Sequence, residues 1–551
     1  MKSAFENPYY YLKNFDTVLA WVLERSFDLL NHSEIDFIGN FSNLSTESRA
    51  LFVRMIMRKG NLFRASKLNY EEIGCPQEAA KCLIDFGWIE NDPLISLEQL
   101  FALLTKKEVV QVFGLSRVKA VARKTELLDG FLAGTQELQR FSSWYPSSDD
   151  TLYEVRLTHL CDRIRLMFFG KLHQDWSEFI LSDLGVFRYE KVTFLATSRA
   201  FHSRQDVDGY LHLHDCRERF YKEEALEDLE QNIYAVTCEN SWLQRRRNKL
   251  LFQIAQRYEQ LEEWTSALRI YKQSNYPGAR IRIIRILEKN AHLASAMEMA
   301  ELAETAPESE TELQHLRRIM PRLRRKLSQP VSPRPVRLQV PRLDLKLPQP
   351  DVSYSIEKLV RDYVEHASPN ASVHYVENSL VNSLFGLLCW DAIFIAIPGA
   401  FFHPFHIGPT DLHSADFYSR RSMQFKACLS QLDSEQYKQT IRENFKQKAG
   451  IQSPFVAWQI LTDTLLEQAL SCLPAVHMAK WFERILLDIR SNRAGFPDLI
   501  QFWPQEGRYQ MIEVKGPGDR LQDNQNRWLD YCMMHDMPVA VCYVQWENSA
   551  E

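Results

Sequence analysis

Apolar positions along the first ninety residues recur at three- and four-residue spacing, which predicts amphipathic helices over Tyr9 to Leu30 and Thr46 to Arg58. Trp88-Ile89 ends that segment as a short strand, and residues 1–95 are compatible with a small winged-helix-like or all-helical module. From Ser96 to Phe131 the pattern reads helix, turn, helix, with Leu97, Leu100, Leu103 and Leu104 on one face and a basic cluster of Arg117, Lys119, Arg123 and Lys124 at the join. Residues 136–240 read as a helix-rich connector. Between Trp242 and Ala303 the series Ile254, Leu261, Trp264, Ala267 returns as Ile283, Asn290, Leu293, Ala296, a period of 29 residues that predicts stacked helix pairs over 241–316.

Two short strands stand out near the end of the chain. Leu499-Ile500-Gln501-Phe502-Trp503 and Tyr509-Gln510-Met511-Ile512-Glu513-Val514-Lys515 are apolar and β-favouring, and Pro-Gln-Glu-Gly at 504–507 has the composition of a hairpin turn. The hairpin brings Asp498 beside Glu513. Residues two apart on a strand face the same side, so Lys515 joins them while Val514 enters the other layer. Two carboxylates and an ammonium at one spot suit phosphodiester hydrolysis: hard oxygens hold a divalent cation, which stabilises phosphate charge and acidifies a water that the lysine can position. An isolated Glu-X-Lys would more readily be a cross-strand surface pair, but here Pro497 precedes the aspartate, a Gly-Pro-Gly turn follows the lysine, and a helix with Gln522, Gln525 and Trp528 comes next.

Composition narrows the picture by what it leaves out. The 551 residues call for three or four domains. A net charge of −5 means that any nucleic-acid surface must be a local basic patch. Ten cysteines are scattered without a Cys-X-X-Cys pair, so they read as reduced thiols, and His212, His214 and Cys216 lack the second ligand group of a zinc finger. The longest apolar run, Leu384 to Ala400, is too short and too interrupted to span a bilayer, so no membrane is expected as a partner. Between Arg317 and Lys346 ten basic residues face one acid, Asp344, and six prolines lie between 321 and 348. That composition predicts an extended basic linker over 317–350, placing Arg322, Arg324, Arg325 and Lys326 along phosphates.

The residues Arg493 to Leu499, Ile512 to Asp519, Leu521 and Gln525 resemble the virus-type replication-repair (VRR-NUC) branch of the PD-(D/E)XK nucleases. That resemblance implies that Asp498 and Glu513 bind metal, that the Val514 carbonyl adds a ligand, and that Lys515 supports the attacking water. The run from Glu377 through Phe385-Gly386-Leu387-Leu388-Cys389-Trp390-Asp391, then Pro398 to Phe401 and Gly408 to Leu412, is similar to the Fanconi-associated nuclease family, in the manner of a compact bacterial relative. So is the order of parts, with residues 96–135 resembling a SAP module, 241–316 resembling tetratricopeptide repeats, and a nuclease domain over 351–551 interrupted by helices at about 378–490.

The fold class implied is multidomain: a mostly α N-terminal two-thirds with winged-helix, SAP-like and repeat parts, then an α/β PD-(D/E)XK nuclease domain with a helical insertion. The family match implies that Glu357, near the start of a capped helix, and Glu377 approach the metals. Independently, Asp498 and Glu513 supply few ligands for two hard cations. Expected cofactors are therefore Mg²⁺ or Mn²⁺, two ions, and the expected partner is DNA with 5′ flaps or 5′ ends, in interstrand crosslink repair. A ubiquitin-binding zinc finger is not expected. The expected location is the bacterial cytoplasm at the nucleoid, or the nucleus in a eukaryote. A Holliday-junction or restriction-type nuclease shares the same trio, and a non-catalytic repair scaffold is the alternative without chemistry.

Overall fold

The computed structural model describes residues 7–547 except 115–121, 133–136, 175, 177, 180–181, 183–185, 195–197, 332–338 and 350–353. The chain divides into two compact units, Met1–Phe187 with Arg199–Val207, and Arg188–Ser198 with Asp208–Glu551.

In the first unit, helices Tyr10–Ser26, His32–Asn43 and Thr46–Ile56 bury an aromatic cluster of Phe37, Phe41, Phe52 and Trp88. Asn31 and Ser45 cap the second and third of these, respectively, through side-chain oxygens, satisfying backbone N–H groups that a helix start leaves open. Beside the helices lies a three-stranded antiparallel sheet, β1 (Leu62–Arg64), β5 (Leu152–Val155) and β2 (Ile89–Asn91), with β5 in the middle. The expected helical connector therefore supplies the central strand. Leu152, Tyr153 and Val155 are buried, and a four-residue apolar strand is too short to register as a periodicity. A two-stranded sheet of β3 (Leu94–Ile95) and β4 (Gln139–Arg140) brackets helices Leu97–Leu103, Lys106–Val112 and Lys124–Leu132. Their core is Leu97, Leu100, Phe101, Leu104, Val109 and Leu127.

The second unit contains a helical solenoid. Helices Ser241–Gln260, Trp264–Gln273, Ala279–Lys289 and Leu293–Thr305 stack in pairs, with Ile254, Ala267, Ile283 and Ala296 in one core. The 29-residue period extends to the backbone. Glu262 and Ala291, 29 residues apart, both take positive φ (62° and 60°), and Glu263 N and His292 N reach back to Tyr258 O and Leu287 O, each at 2.9 Å. Each first helix thus ends in the same left-handed turn.

The basic stretch departs from expectation. Residues 310–326 form one helix, Glu310–Lys326, with Pro321 inside it. Leu316, Ile319, Met320 and Leu323 are buried against the solenoid, and that packing outweighs the hydrogen bond lost at Pro321. Further on, Arg342–Leu347 is strand β6 of the nuclease sheet.

That sheet has five strands in the order β6, β10 (Val539–Trp546), β9 (Arg508–Lys515), β8 (Leu499–Trp503), β7 (Ser372–Tyr375). β8 and β9 are the expected hairpin, with Leu499 opposite Ile512 and Trp503 opposite Arg508. β9 continues through helix Asp523–Met534 into β10, which lies parallel beside it. One face packs Leu499, Ile512, Val514, Cys542 and Val544 against Val360 of helix Ile356–Ala367. The opposite face packs Ile500, Phe502, Met511, Val539 and Val541 against Trp528, Leu529 and the helices between β7 and β8. Those helices include Leu380–Leu388, Gln436–Gln447, Asp463–Cys472 and Ala475–Leu487.

Candidate active site

The alternation of β9 places Glu513 and Lys515 on one side and Val514 on the other, where it packs with Leu499 and Val360. Asp498 lies just ahead of β8, and its Oδ2 accepts a hydrogen bond from Val514 N at 2.8 Å. Lys515 Nζ stands 2.7 Å from Glu513 Oε1. Asp498, Glu513 and Lys515 are 6%, 0% and 8% exposed, a burial that charged residues tolerate only when paired or bound to a cation.

The electrostatics show which is the case here. Burial pushes the Glu513 carboxyl up to about 8, and the nearby Asp498 charge adds to this against the opposing pull of Lys515. Burial also raises Asp498 to about 6, opposed by the Val514 N–H and reinforced by the charge of Glu377. One ammonium is therefore too little positive charge for two buried carboxylates. Among the described residues Glu513 Oε2 has no hydrogen-bond partner, and the contact of Oε1 with Lys515 is an ion pair lacking hydrogen-bond geometry. A divalent cation fits this donor set, since it would supply both the missing charge and a partner for the buried oxygen.

Glu357 and Glu377 stand further out. Both act on Asp498 through their charges. Among the described residues, however, no three His, Cys, Asp or Glu side chains form a group that could hold a metal on side chains alone. Glu357 is the second residue of helix Ile356–Ala367, which Ser355 caps as expected. Glu377 follows β7 and is held by Tyr375 Oη, which donates to Oε2 at 2.6 Å, and by Asn378 Nδ2, which donates to Oε1 at 3.2 Å. Sequence reading missed Tyr375 and Asn378. Their only signal was adjacency to the acid.

Ahead of Asp498, Gly495 takes a φ of 100°, and a Cβ there would lie 2.8 Å from the Asn524 carbonyl carbon. The segment carrying Asp498 thus presses on the first turn of helix Asp523–Met534, whose Gln522 and Gln525 form a reciprocal cap.

The expected DNA contacts fare unevenly. Arg117 and Lys119 lie outside the described residues. Lys124 Nζ donates to Leu104 O at 2.7 Å, which commits its ammonium to a helix end. Arg123 is on the surface at the start of the next helix, where its backbone N donates to Glu126. Arg322 Nε and Lys326 Nζ bind the buried Glu288 carboxylate at 2.6 and 2.9 Å, so these two serve the solenoid and do not form an open strap. Arg325 Nε returns to Pro321 O, and Arg324 also sits in this helix. Within the solenoid, Arg280 binds Glu312 and Arg282 binds Glu259, so these guanidinium groups are likewise paired inside the fold.

A mixed sheet with an aspartate, a glutamate and a lysine on adjoining strands, backed by a helix on each face, defines a PD-(D/E)XK nuclease. The profile of the VRR-NUC domain matches residues 432–546, that of the Fanconi anemia-associated nuclease SAP domain 94–144, and that of the FAN1 HTH domain 9–90. The Fanconi-associated nuclease 1 homolog of Pseudomonas aeruginosa is 53% identical over 543 residues, covering 98% of this chain and 97% of the relative. The homolog of Oryza sativa is 24% identical over 97% of this chain and 62% of its own length. A crystal structure of paFAN1 bound to 2nt 5′flap DNA with gap superposes with a TM-score of 0.95, at 52% identity and full coverage of both chains. The chain belongs to the Fanconi-associated nuclease family, and it is a DNA-hydrolysing nuclease that depends on divalent metal. Among the described residues no helix is long and apolar enough to cross a membrane.

Proposed function

We propose that the chain is a structure-specific nuclease that cuts 5′ flaps and trims 5′ ends in the repair of interstrand crosslinks, using two Mg²⁺ or Mn²⁺ ions. The observation that carries the reading is the buried Asp498–Glu513 pair with its unpartnered oxygen beside Lys515. It is supported by two crystal structures of paFAN1 bound to 5′ flap DNA with a gap, to which the chain is 52% and 53% identical.

Asp498, Glu513 and the Val514 carbonyl would hold the metal, with Glu357 and Glu377 approaching from the rim. When bound, divalent ions there supply charge stabilisation to the phosphate and acidify a water. Val514 N–H fixes the Oδ2 oxygen of Asp498, so the carboxylate is aimed before any ligand arrives. Lys515, steadied by Glu513, would orient the attacking water and hold positive charge where the transition state is most negative. Phosphate contacts would position the duplex without reading its sequence, with Arg117, Lys119 and Arg123 of the SAP segment and Arg324 and Arg325 as the contributors.

The test is a panel of 5′-flap, 3′-flap, nicked and four-way substrates labelled at either end, in Mg²⁺ and in Mn²⁺. The expected outcome is incision near the base of 5′ flaps. Preferential cutting of four-way junctions would overturn the reading in favour of a junction nuclease.

A further inference from the structure

Asn378 connects the two acidic arms of the site. Its φ of 50° lies in the left-handed region, which asparagine enters more readily than most residues because its short side chain can bond locally. A backbone held there is normally over-determined by its surroundings. Here the side chain works in two directions. Oδ1 accepts hydrogen bonds from Gly495 N at 2.7 Å and Phe496 N at 3.2 Å, while Nδ2 donates to Glu377 Oε1 at 3.2 Å.

The surroundings reinforce the link. Asn382 Nδ2 donates to Asn378 O at 2.7 Å and to Arg493 O at 2.8 Å, and Val376 N donates to Asp498 O at 2.8 Å. The turn that presents Glu377 and the Gly495-Phe496-Pro497-Asp498 segment are therefore tied together on both sides of Asn378. Glu377 accepts one bond on each oxygen, from Tyr375 and from Asn378, which leaves each oxygen a lone pair for a cation. Carboxylates that bind metals are commonly held by such outer partners, which set their orientation.

We propose that Asn378 is a positioning residue for the metal site: it sets the Glu377 carboxylate relative to Asp498, so that the third acidic ligand comes from a rim turn whose register is fixed by the catalytic segment itself. The inference rests on the reading of Glu377 as an acid at the metal edge.

The test measures metal binding to the DNA-free protein, as the Mn²⁺ concentration giving half of the maximal thermal shift, alongside the melting temperature without metal. Asn378→Gly keeps the left-handed backbone at no steric cost and removes all three side-chain bonds. It should raise the half-saturating concentration by about tenfold, the lower end of what losing a partner of a metal ligand costs. Asn378→Asp retains an acceptor for Gly495 N and Phe496 N, so its fold is kept, but it repels Glu377. The proposal expects its midpoint to rise as well, whereas a general effect of one more negative charge would lower it.

Glu377→Gln separates this idea from the reading beneath it. A raised midpoint in Glu377→Gln with wild-type midpoints in both Asn378 variants would overturn the positioning role alone. An unchanged midpoint in Glu377→Gln would overturn both. A fall in metal-free melting temperature with no change in midpoint would reduce Asn378 to a structural turn and also sink the proposal.

Discussion

Val514 N–H donates to Asp498 Oδ2 at 2.8 Å, so the strand that carries Glu513 and Lys515 also aims the aspartate of its neighbour. The aspartate's charge and its structural bond can be separated. In Asp498→Asn the amide oxygen can still accept from Val514 N while the negative charge is gone. Cleavage should fall by ~10²–10³-fold or more, the scale on which one preorganised electrostatic group acts, with DNA binding and melting temperature close to wild type. Glu513→Gln and Lys515→Ala should be similarly severe. Substantial cleavage by either carboxylate variant under saturating Mn²⁺, in a gel assay on labelled flaps, would misplace the metal site.

The backbone at Gly495 gives a second prediction. Both the φ of 100° and the 2.8 Å approach to Asn524 oppose any side chain. Gly495→Ala should destabilise by ~2–4 kcal/mol through strain and overpacking combined, and it should lower cleavage because Asp498 follows in the same segment. Chemical denaturation with parallel flap cleavage checks both effects.

A third prediction concerns acid stability. Arg322 and Lys326 hold the Glu288 carboxyl down to about 2 from its ordinary 4.5. A depressed folded-state value stabilises fully above 4.5, and that contribution is lost as pH falls through about 2. Both cations are about half exposed (48% and 47%), so solvent screening reduces the effect to ~1–2 kcal/mol at neutral pH. Glu288→Gln should lose that amount at pH 7 and little at pH 2, measured by urea unfolding. In the same vein, Arg322→Gln with Lys326→Gln should lower stability and leave the salt dependence of DNA binding unchanged. A slope reduced by about 0.9 for each residue would return them to the phosphates.

Two ion pairs linking helix Glu310–Lys326 to the nuclease domain should differ in weight. Arg318 forks Asp523 at 2.5 and 2.7 Å, yet both side chains are about half exposed. Its coupling energy in a double-mutant cycle should be below ~1 kcal/mol. Arg484 is 5% exposed, binds Glu310 and the Arg527 carbonyl, and lies over the rings of Trp528 and Tyr531 at 4.6 and 4.1 Å. Glu310→Gln would strand that buried guanidinium and should cost ~3 kcal/mol. Equal losses from the two pairs would show that burial is not what sets their strength.

What the sequence made legible was local. The β8–β9 hairpin could be read because two β-favouring runs flank one turn, and the solenoid because its period survives in Ile254, Ala267, Ile283 and Ala296. Interactions between distant positions were hidden. Glu288 lies 34 residues before Arg322 and neutralises it, so the count of basic residues overstated the open charge. Lys124 spends its ammonium on Leu104 in the same way. β5 was too short to show a period, and Asn378 matters through partners more than a hundred residues away. Pro321 misled in the opposite direction, because burial of its helix outweighed a local breaking signal.

The pairing of β6 with β10 has a practical bearing on how this enzyme can be dissected. The six residues from Arg342 to Leu347 run beside Val541 to Trp546 and close one edge of the catalytic sheet, although they precede the first nuclease helix. A fragment trimmed to begin at Ser355, where that helix is capped, would retain every acidic residue of the site. It would also leave the backbone of β10 as an open template for other chains, and such a fragment should self-associate before it could be assayed.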